Sequence, residues 1–195
     1  MGNAHGQPRE PTVLILPGRG NSPAAHWQTH WEAADPGLAR VLQREWLTPR
    51  RDEWVRTLAE VLAARSTPAV LVAHSLAVSL VIHLVAAWPT LYPGKALPVR
   101  GALLVAPSDV EAADYPPGPV GFDPLPLAPL PFPSIVVAST DDPRVTLERA
   151  RFFAAAWGAR LEIAGALGHM GSDSTLGDWP QARRWLDEVR LPLRR

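Results

Sequence analysis

The residues best placed to do chemistry surround Ser75, where an apolar run changes into a helical pattern. Residues 70–73 read as a buried strand, and residues 76–85 have helical character. A serine at such a strand-turn-helix junction stands at the carboxyl edge of a parallel sheet, with backbone N–H groups beside its hydroxyl. The segment therefore predicts a serine nucleophile. The alternative is a serine that only caps the following helix.

The residues that flank Ser75 depart from the usual G-x-S-x-G pattern, because Ala73 and Ala77 occupy both glycine positions. These positions need small side chains, since the strand and helix backbones pass close together there. Alanine is the next smallest residue after glycine. The strained backbone angles of such a turn belong to the serine itself, so Ser75 stays the candidate nucleophile.

A serine hydroxyl becomes strongly nucleophilic when a histidine takes its proton and a carboxylate orients that histidine. Only His169 lies in a loop after the last predicted strand, with Gly168 before it and Gly171 shortly after. The other five histidines lie next to the serine, in predicted helices or in the polar amino terminus: His74, His83, His26, His30 and His5. We therefore predict that His169 is the base.

Two adjacent carboxylates, Asp141 and Asp142, follow a late predicted strand. Either could orient the histidine, whereas Asp173 and Asp178 follow His169 too closely. The resulting chain order is serine, aspartate, histidine. That order is typical of the α/β-hydrolase arrangement and differs from the two common protease orders.

The negative oxygen of a tetrahedral intermediate needs two backbone donors. The N–H of Leu76, directly after the serine, is one candidate, and the N–H of Arg19 or Gly20 in the loop after the first strand is the other. A glycine-rich turn at this place also suits phosphate binding. The loop matches neither common phosphate-binding pattern, so the oxyanion role is preferred.

Together these segments resemble the small serine hydrolases related to retinoblastoma-binding protein 9 and the bacterial YdeN-like proteins. The resemblance spans nearly the whole chain and rests on an ordered set: LPGRGN at 16–21, HWQTHW at 26–31, Trp54, VAHSL at 72–76, STDDP at 139–143, GH at 168–169 and WP at 179–180.

The resemblance implies a compact α/β-hydrolase fold and a triad of Ser75, Asp142 and His169. In similar proteins the second aspartate of the S-x-D-D-P pattern is the triad member, which makes Asp141 a turn residue. Many members keep glycine where this chain has Ala77, and often where it has Ala73. These two methyl groups bear on catalytic efficiency more than on fold.

The remaining elements must position these residues. Apolar runs predict strands at 13–16, 41–43, 69–72, 101–105, 135–138 and 160–163, and helical patterns lie between them at 23–34, 52–64, 75–87, 146–157 and 179–189. This alternation predicts a single-domain α/β-hydrolase-like three-layer sandwich with a mostly parallel sheet and no separate cap domain. We assign it to residues 11–195, after a flexible amino terminus at 1–10.

A proline-rich segment at 115–133 can form neither a helix interior nor a central strand. Its apolar residues predict that it lies against the domain, either as a packed crossover or as a pocket wall. Six residues are candidates for the substrate pocket: Trp27, Leu125, Leu127, Leu130, Phe132 and Met170. Four of the eight tryptophans, Trp27, Trp31, Trp46 and Trp54, are expected to pack in the core and its rim, with Trp27 the one that could also reach the pocket.

The composition limits the partners and the compartment. The 195 residues carry 19 basic and 19 acidic side chains, so the net charge gives no field for collecting nucleic acid. The absence of cysteine excludes disulfides and thiolate catalysis. No segment approaches the length of a membrane helix. We predict a cytoplasmic protein that needs no cofactor or metal and binds neither nucleic acid nor membrane.

The predicted activity is hydrolysis of a small ester, thioester or amide through an acyl-enzyme. Two alternatives stay open at this point. The hydrolase fold could serve as a scaffold for protein interaction with incidental turnover, or the same pocket could support a lyase or a cofactor-free oxygenase. The sequence does not specify the substrate or the oligomeric state.

Overall fold

The computed structural model describes residues 12–190 and shows strands and helices in alternation. The strands are β1 (Val13–Leu16), β2 (Leu38–Arg40), β3 (Ala69–His74), β4 (Val99–Val105), β5 (Ser134–Ala138) and β6 (Arg160–Ile163). The helices are α1 (Trp27–Ala34), α2 (Arg51–Ala63), α3 (Leu76–Leu91), α4 (Leu147–Ala156) and α5 (Pro180–Arg190). The flexible amino terminus predicted for residues 1–10 lies outside the described residues. Within residues 12–190, no helix is long and apolar enough to cross a membrane.

The six strands form one parallel sheet in the order β2-β1-β3-β4-β5-β6. Successive side chains of a strand point to opposite faces. Val13 and Ile15 therefore join the core on the side of α1 and α5, whereas Leu14 and Leu16 join the core on the side of α2, α3 and α4. The predicted three-layer sandwich is confirmed, and no cap domain is present in the described part of the chain.

The strand order places a switch point between β1 and β3. The chain leaves β1 toward β2 on one side, and it continues from β3 toward β6 on the other. Ligands of parallel α/β sheets bind in the crevice outside the carboxyl ends of the strands at such a point. The loop after β1 and the turn after β3, which carry Arg19 and Ser75, both border this crevice.

Three differences between the element boundaries and the sequence prediction exceed the one or two residues by which several other ends shift. The strand predicted at 41–43 is wrong, because β2 lies at Leu38–Arg40, where it pairs with β1. Strand β1 itself ends at Leu16, since Pro17 has no N–H to donate to the sheet. Helix α1 begins at Trp27 rather than at residue 23, since His26 caps it by accepting the Gln28 N–H at 3.1 Å. Helix α3 continues to Leu91.

The proline-rich segment at 115–133 lies against the domain, as predicted. Leu125 and Phe132 are buried in the core on the α3 side of the sheet. His83 of α3 is also hydrogen bonded through Nε2 to the carbonyl oxygen of Phe122, at 2.8 Å. The segment is therefore a packed crossover between β4 and β5.

Candidate active site

Ser75 occupies a strained turn between β3 and α3. Its backbone angles are φ 58° and ψ −125°, a region that residues other than glycine rarely adopt. Its N–H donates to the carbonyl oxygen of Val105 at 2.9 Å, and the strand before it and the first helical turn after it are buried. The surrounding packing therefore holds the strain and keeps the side chain at the carboxyl edge of the sheet.

His169 and Asp142 continue from Ser75 as one hydrogen-bonded chain. The Ser75 Oγ lies 2.7 Å from His169 Nε2, and His169 Nδ1 lies 2.8 and 2.9 Å from the two carboxylate oxygens of Asp142. The Asp142 side chain is fully buried, whereas that of His169 is 23% exposed. With Nδ1–H donating to the carboxylate, Nε2 is left as the acceptor of the serine hydroxyl proton.

Asp141 lies against the backbone of the histidine loop rather than against the imidazole. Its Oδ1 accepts the hydroxyl of Ser139 at 2.7 Å and the N–H of Gly168 at 2.8 Å. These two hydrogen bonds, that of Ser139 first, lower the pKa of the Asp141 carboxyl. The two adjacent aspartates thus have different partners. Asp142 contacts the imidazole, and Asp141 anchors the loop that carries it.

The loop that carries His169 is fixed along its whole length. Four consecutive residues each give one backbone group to a side chain of the domain: the Leu167 N–H to Ser139 Oγ at 2.9 Å, the Gly168 N–H to Asp141, the His169 carbonyl to His74 Nε2 at 2.9 Å, and the Met170 carbonyl to Trp27 Nε1 at 2.8 Å. The imidazole is therefore held by a preorganised backbone rather than by a free loop.

Two further histidines, His74 and His26, form a row of neighbouring rings that begins at His169. The His74 ring is 5.2 Å from the His169 ring and 4.8 Å from that of His26, measured between centroids. Burial lowers the pKa of His74 well below 6.5, and burial, together with Arg40, lowers the pKa of His26 to about 4. Both rings are therefore neutral near pH 7. A neutral His74 bonded to a carbonyl carries its proton on Nε2.

Ser108 is a member of the site that the sequence did not single out. It is buried in the loop after β4, and its Oγ lies 3.0 Å from Ser75 Oγ. Because the Ser75 hydroxyl donates to His169, Ser108 is the donor in this second contact. The only signal in the sequence is its place just after a predicted strand, and Ser139 and Thr140 share that feature.

The structure excludes one of the backbone N–H groups predicted to donate to the oxyanion. The Gly20 N–H donates to the carbonyl oxygen of Trp46 at 2.9 Å, so it is already engaged. Among the described residues, the N–H groups of Leu76 and Arg19 have no acceptor. Of the two donors predicted in the loop after β1, Arg19 is therefore the one that is free.

Gly18 explains how this loop approaches the serine. A Cβ at position 18 would lie 2.8 Å from the carbonyl oxygen of His74 and 2.9 Å from the Cβ of Ser75. Real side chains do not tolerate such distances, so glycine is required here. The tightest approach to the turn is thus made by Gly18, while Ala73 and Ala77 are accommodated in the core with no exposed surface.

Gln28 of α1 links the strands that lead into the two site loops. Its buried side-chain amide donates to the carbonyl oxygens of Leu16 at 3.2 Å and Val72 at 3.1 Å, near the carboxyl ends of β1 and β3. Its side-chain oxygen accepts the hydroxyl of Ser22 at 2.6 Å. One side chain therefore ties together the ends of the two paired strands that lead into the loop of Gly18 and the turn of Ser75.

A small cavity of about 190 Å³ opens beside Ser75. Besides Ser75 and His169, its wall consists of Arg19, Ser108, Tyr115, Pro116 and Arg144. The proline-rich segment therefore does contribute a wall, through its first two residues. All of these residues except Pro116 have polar side chains, which differs from the apolar pocket residues expected from the sequence.

The six predicted pocket residues do not line this cavity, and that prediction is corrected. Five of them are core residues, fully or partly buried: Trp27, Leu125, Leu130, Phe132 and Met170. Leu127 is 49% exposed on the surface. The apolar side chains of the proline-rich segment turn toward the hydrophobic core, because burying them there stabilises the fold. Trp31 and Trp54 are buried as expected.

Comparison with known proteins identifies the family of this chain. A model of the serine hydrolase family matches residues 13–188. The chain belongs to this family. No match is found among curated protein sequences. The family match confirms the predicted relation to small serine hydrolases, and the protein is a hydrolase of the α/β type.

Solved structures of similar proteins share the fold of this serine hydrolase. A YdeN-like hydrolase from Pectobacterium atrosepticum is 29% identical, with a TM-score of 0.79 over 92% of this chain and 90% of its own. The ydeN gene product of B. subtilis is 20% identical, with a TM-score of 0.63 over 91% and 97% of the two chains. A Bacillus cereus carboxylesterase, 17% identical, shares the fold with a TM-score of 0.59 over 94% and 90%.

Proposed function

We propose that this serine hydrolase cleaves a small carboxylic ester, thioester or amide through an acyl-enzyme, with Ser75, His169 and Asp142 as its triad. The observation that carries the proposal is the continuous hydrogen-bonded chain, at 2.7 Å from Ser75 to His169 and 2.8 Å from His169 to Asp142. Nucleophile, base and orienting carboxylate are thus within hydrogen-bond reach of one another, as acyl transfer requires.

The first half of the reaction forms the acyl-enzyme. Ser75 Oγ attacks the carbonyl carbon of the substrate while its proton passes to His169 Nε2. The carbonyl oxygen becomes an oxyanion, for which the N–H groups of Leu76 and Arg19 are the proposed donors. Collapse of this intermediate breaks the bond to the leaving group, which takes the proton from His169. Asp142 stabilises the imidazolium meanwhile.

The second half releases the acid. A water molecule gives a proton to His169 Nε2 and attacks the acyl carbon, which forms a second tetrahedral intermediate in the same oxyanion site. Its collapse breaks the ester bond to Ser75, and His169 returns the proton to Ser75 Oγ. The enzyme is then restored, and one water has been consumed for each bond cleaved.

Turnover of para-nitrophenyl esters of increasing chain length tests this proposal, with Ser75→Ala as the control. We expect a burst of nitrophenol equal to the enzyme concentration, a preference for short acyl chains because the cavity is small, and loss of the burst in Ser75→Ala. Turnover that persists in Ser75→Ala would contradict the proposal. Turnover without an acyl-enzyme would mean that water attacks the ester directly, which would contradict the covalent step.

A further inference from the structure

The cavity beside Ser75 is lined by positive charge. Two of its wall residues, Arg19 and Arg144, are cationic, and none of the described residues lining it is acidic. Within residues 12–190 neither arginine forms an ion pair, although other arginines, such as Arg40 and Arg149, do. Two uncompensated guanidinium groups therefore share one cavity of about 190 Å³ with the serine.

Arg19 is held in place before any ligand arrives. Its Nε donates to the carbonyl oxygen of Leu47 at 2.8 Å, which leaves its terminal nitrogens available. Its guanidinium also lies over Gly118, where a side chain would collide with it, since a Cβ at that position would fall 2.9 Å from Cζ. A cation fixed in this way loses little conformational entropy when it binds an anion.

Arg144 is placed by its position two residues after Asp142. Its backbone N–H donates to Asp142 Oδ1 at 2.8 Å, and its carbonyl oxygen accepts the Asp109 N–H at 3.0 Å. The backbone that carries this second cation is therefore tied to the same carboxylate that orients His169. The site itself therefore fixes the point from which this side chain extends.

Tyr115 lies on the same cavity wall as Arg19 and Arg144. Burial raises the pKa of the Tyr115 hydroxyl, while a hydrogen bond with Ser108 and the charges of Arg19 and Arg144 act in the opposite direction. Tyr115 and Ser108 also place two neutral hydroxyl groups on the wall. The cavity thus combines two positive charges with neutral polar groups.

The groove on the other side of His169 has a different character. It encloses about 560 Å³ and also touches Arg144, but Asp173 lies on its wall. A carboxylate there would be repelled by Asp173, whereas the smaller cavity offers only positive charge. An anion near the site is therefore expected on the side of Arg19 and Tyr115.

We infer that the cavity binds a free carboxylate of the substrate, so that the enzyme acts on small esters, thioesters or amides carrying a second, uncleaved carboxylate. This inference rests on the proposed hydrolase mechanism at Ser75. Arg19 and Arg144 hold the carboxylate, and planar guanidinium groups suit carboxylate oxygens because they can donate two parallel hydrogen bonds. The anion then fixes the scissile carbonyl in front of Ser75.

Binding to the inactive Ser75→Ala variant tests the inference without turnover. Two matched pairs serve as probes: monomethyl glutarate against methyl glutaramate, and the acetyl ester of para-hydroxybenzoate against that of para-hydroxybenzamide. The first pair places the charge on the acyl side, and the second places it on the leaving-group side. We expect the carboxylate of one pair to bind at least about tenfold more tightly than its amide.

The arginine dependence is measured with the same probes. In Ser75→Ala/Arg144→Gln the preference for the carboxylate should fall several-fold, whereas Arg184→Gln, which removes an exposed positive charge on α5, should keep it. Equal affinity for both members of each pair, no saturable binding of either carboxylate, or an unchanged preference in Arg144→Gln would overturn the inference. None of these measurements needs catalysis. A failure of the inference can therefore be distinguished from a failure of the proposed function, which the ester turnover test measures.

Discussion

His74 Nε2 donates a hydrogen bond to the carbonyl oxygen of His169 at 2.9 Å, so the residue next to the proposed nucleophile holds the backbone of the proposed base. This contact joins the turn after β3 to the loop after β6. It couples the position of Ser75 to that of His169 independently of their own hydrogen bond.

Removing this donor should slow the reaction without unfolding the domain. His74→Phe keeps a ring of similar size but lacks the N–H, so the His169 loop shifts and kcat/KM falls roughly tenfold to a hundredfold. His74→Gln places an amide N–H near the position of Nε2 and should recover most of the loss. Circular dichroism checks the fold. Equal rates in His74→Phe and the parent protein would contradict the positioning role.

The two adjacent aspartates should differ sharply in their effect. Asp142→Asn leaves an amide against His169 Nδ1 and favours the wrong tautomer, which lowers kcat by roughly a thousandfold or more. Asp141→Asn keeps an oxygen that can accept the Gly168 N–H, so its loss should stay within about tenfold. Steady-state rates on one ester compare them directly. Similar losses in both variants would show that the assignment of Asp142 is wrong.

Ser108→Ala should reduce activity while leaving Ser75 reactive. The variant removes the hydroxyl 3.0 Å from Ser75 Oγ, so the nucleophile loses one of its two partners and kcat falls by about tenfold. Ser134→Ala removes a buried hydroxyl at the opposite end of the sheet and serves as the control. If both alanine variants retain full activity, Ser108 only fills space.

Gly18→Ala should damage both stability and activity. The added methyl group would press on the His74 carbonyl and on Ser75 Cβ, which costs about 1–3 kcal/mol and displaces the serine. Gly101→Ala is the matched control, because a Cβ there would lie 2.8 Å from the carbonyl oxygen of Val189, a similar backbone clash away from Ser75. Chemical unfolding and ester turnover separate the two effects. Full activity in Gly18→Ala would mean that the close approach is not needed.

The buried histidines predict how stability depends on pH. The pKa of His26 is about 4 in the folded protein, against an ordinary value of 6.5 for a histidine exposed to water, so between these values the unfolded chain binds more protons. The free energy of unfolding should therefore decrease as pH falls from 6.5 to 4, and His26 contributes up to about 3 kcal/mol of this decrease. His74 adds in the same direction.

His26→Asn isolates this contribution. Asparagine still caps α1, since its side-chain oxygen can accept the Gln28 N–H, but it does not titrate. Urea unfolding at neutral pH and at pH 4 should show a shallower dependence in His26→Asn than in the parent protein. His30→Asn, on the exposed side of the same helix, controls for the substitution. Parallel curves for all three proteins would contradict the account.

Much of the fold and the main chain of contacts could be predicted from the sequence. The strand-turn-helix pattern around Ser75 and the loops after the last two strands are local features, and parallel strands bring their carboxyl ends to one edge. The strand predicted at 41–43 is misplaced because periodicity in three residues is weak, and pairing with β1 decides where β2 begins.

The cavity could not be predicted for a different reason. The sequence predicts that Leu127 and Leu130 line the pocket because they are apolar and follow the strand that ends at Val105. Apolar side chains of such a segment pack into the core where they can, and their apolar character alone does not direct them to the cavity. Ser108 and Tyr115 carry no distinctive spacing, and they meet Ser75 only through the relative placement of β3 and β4. Such contacts depend on tertiary packing rather than on local pattern.

The central claim is that Ser75 is an activated nucleophile, and covalent labelling with a fluorophosphonate probe tests it most directly. We expect the folded protein to gain the mass of one phosphonyl group, located by peptide mass spectrometry on the peptide that contains Ser75. Unfolded protein and Ser75→Ala should remain unlabelled. A folded protein in which Ser75 stays unmodified would contradict the account.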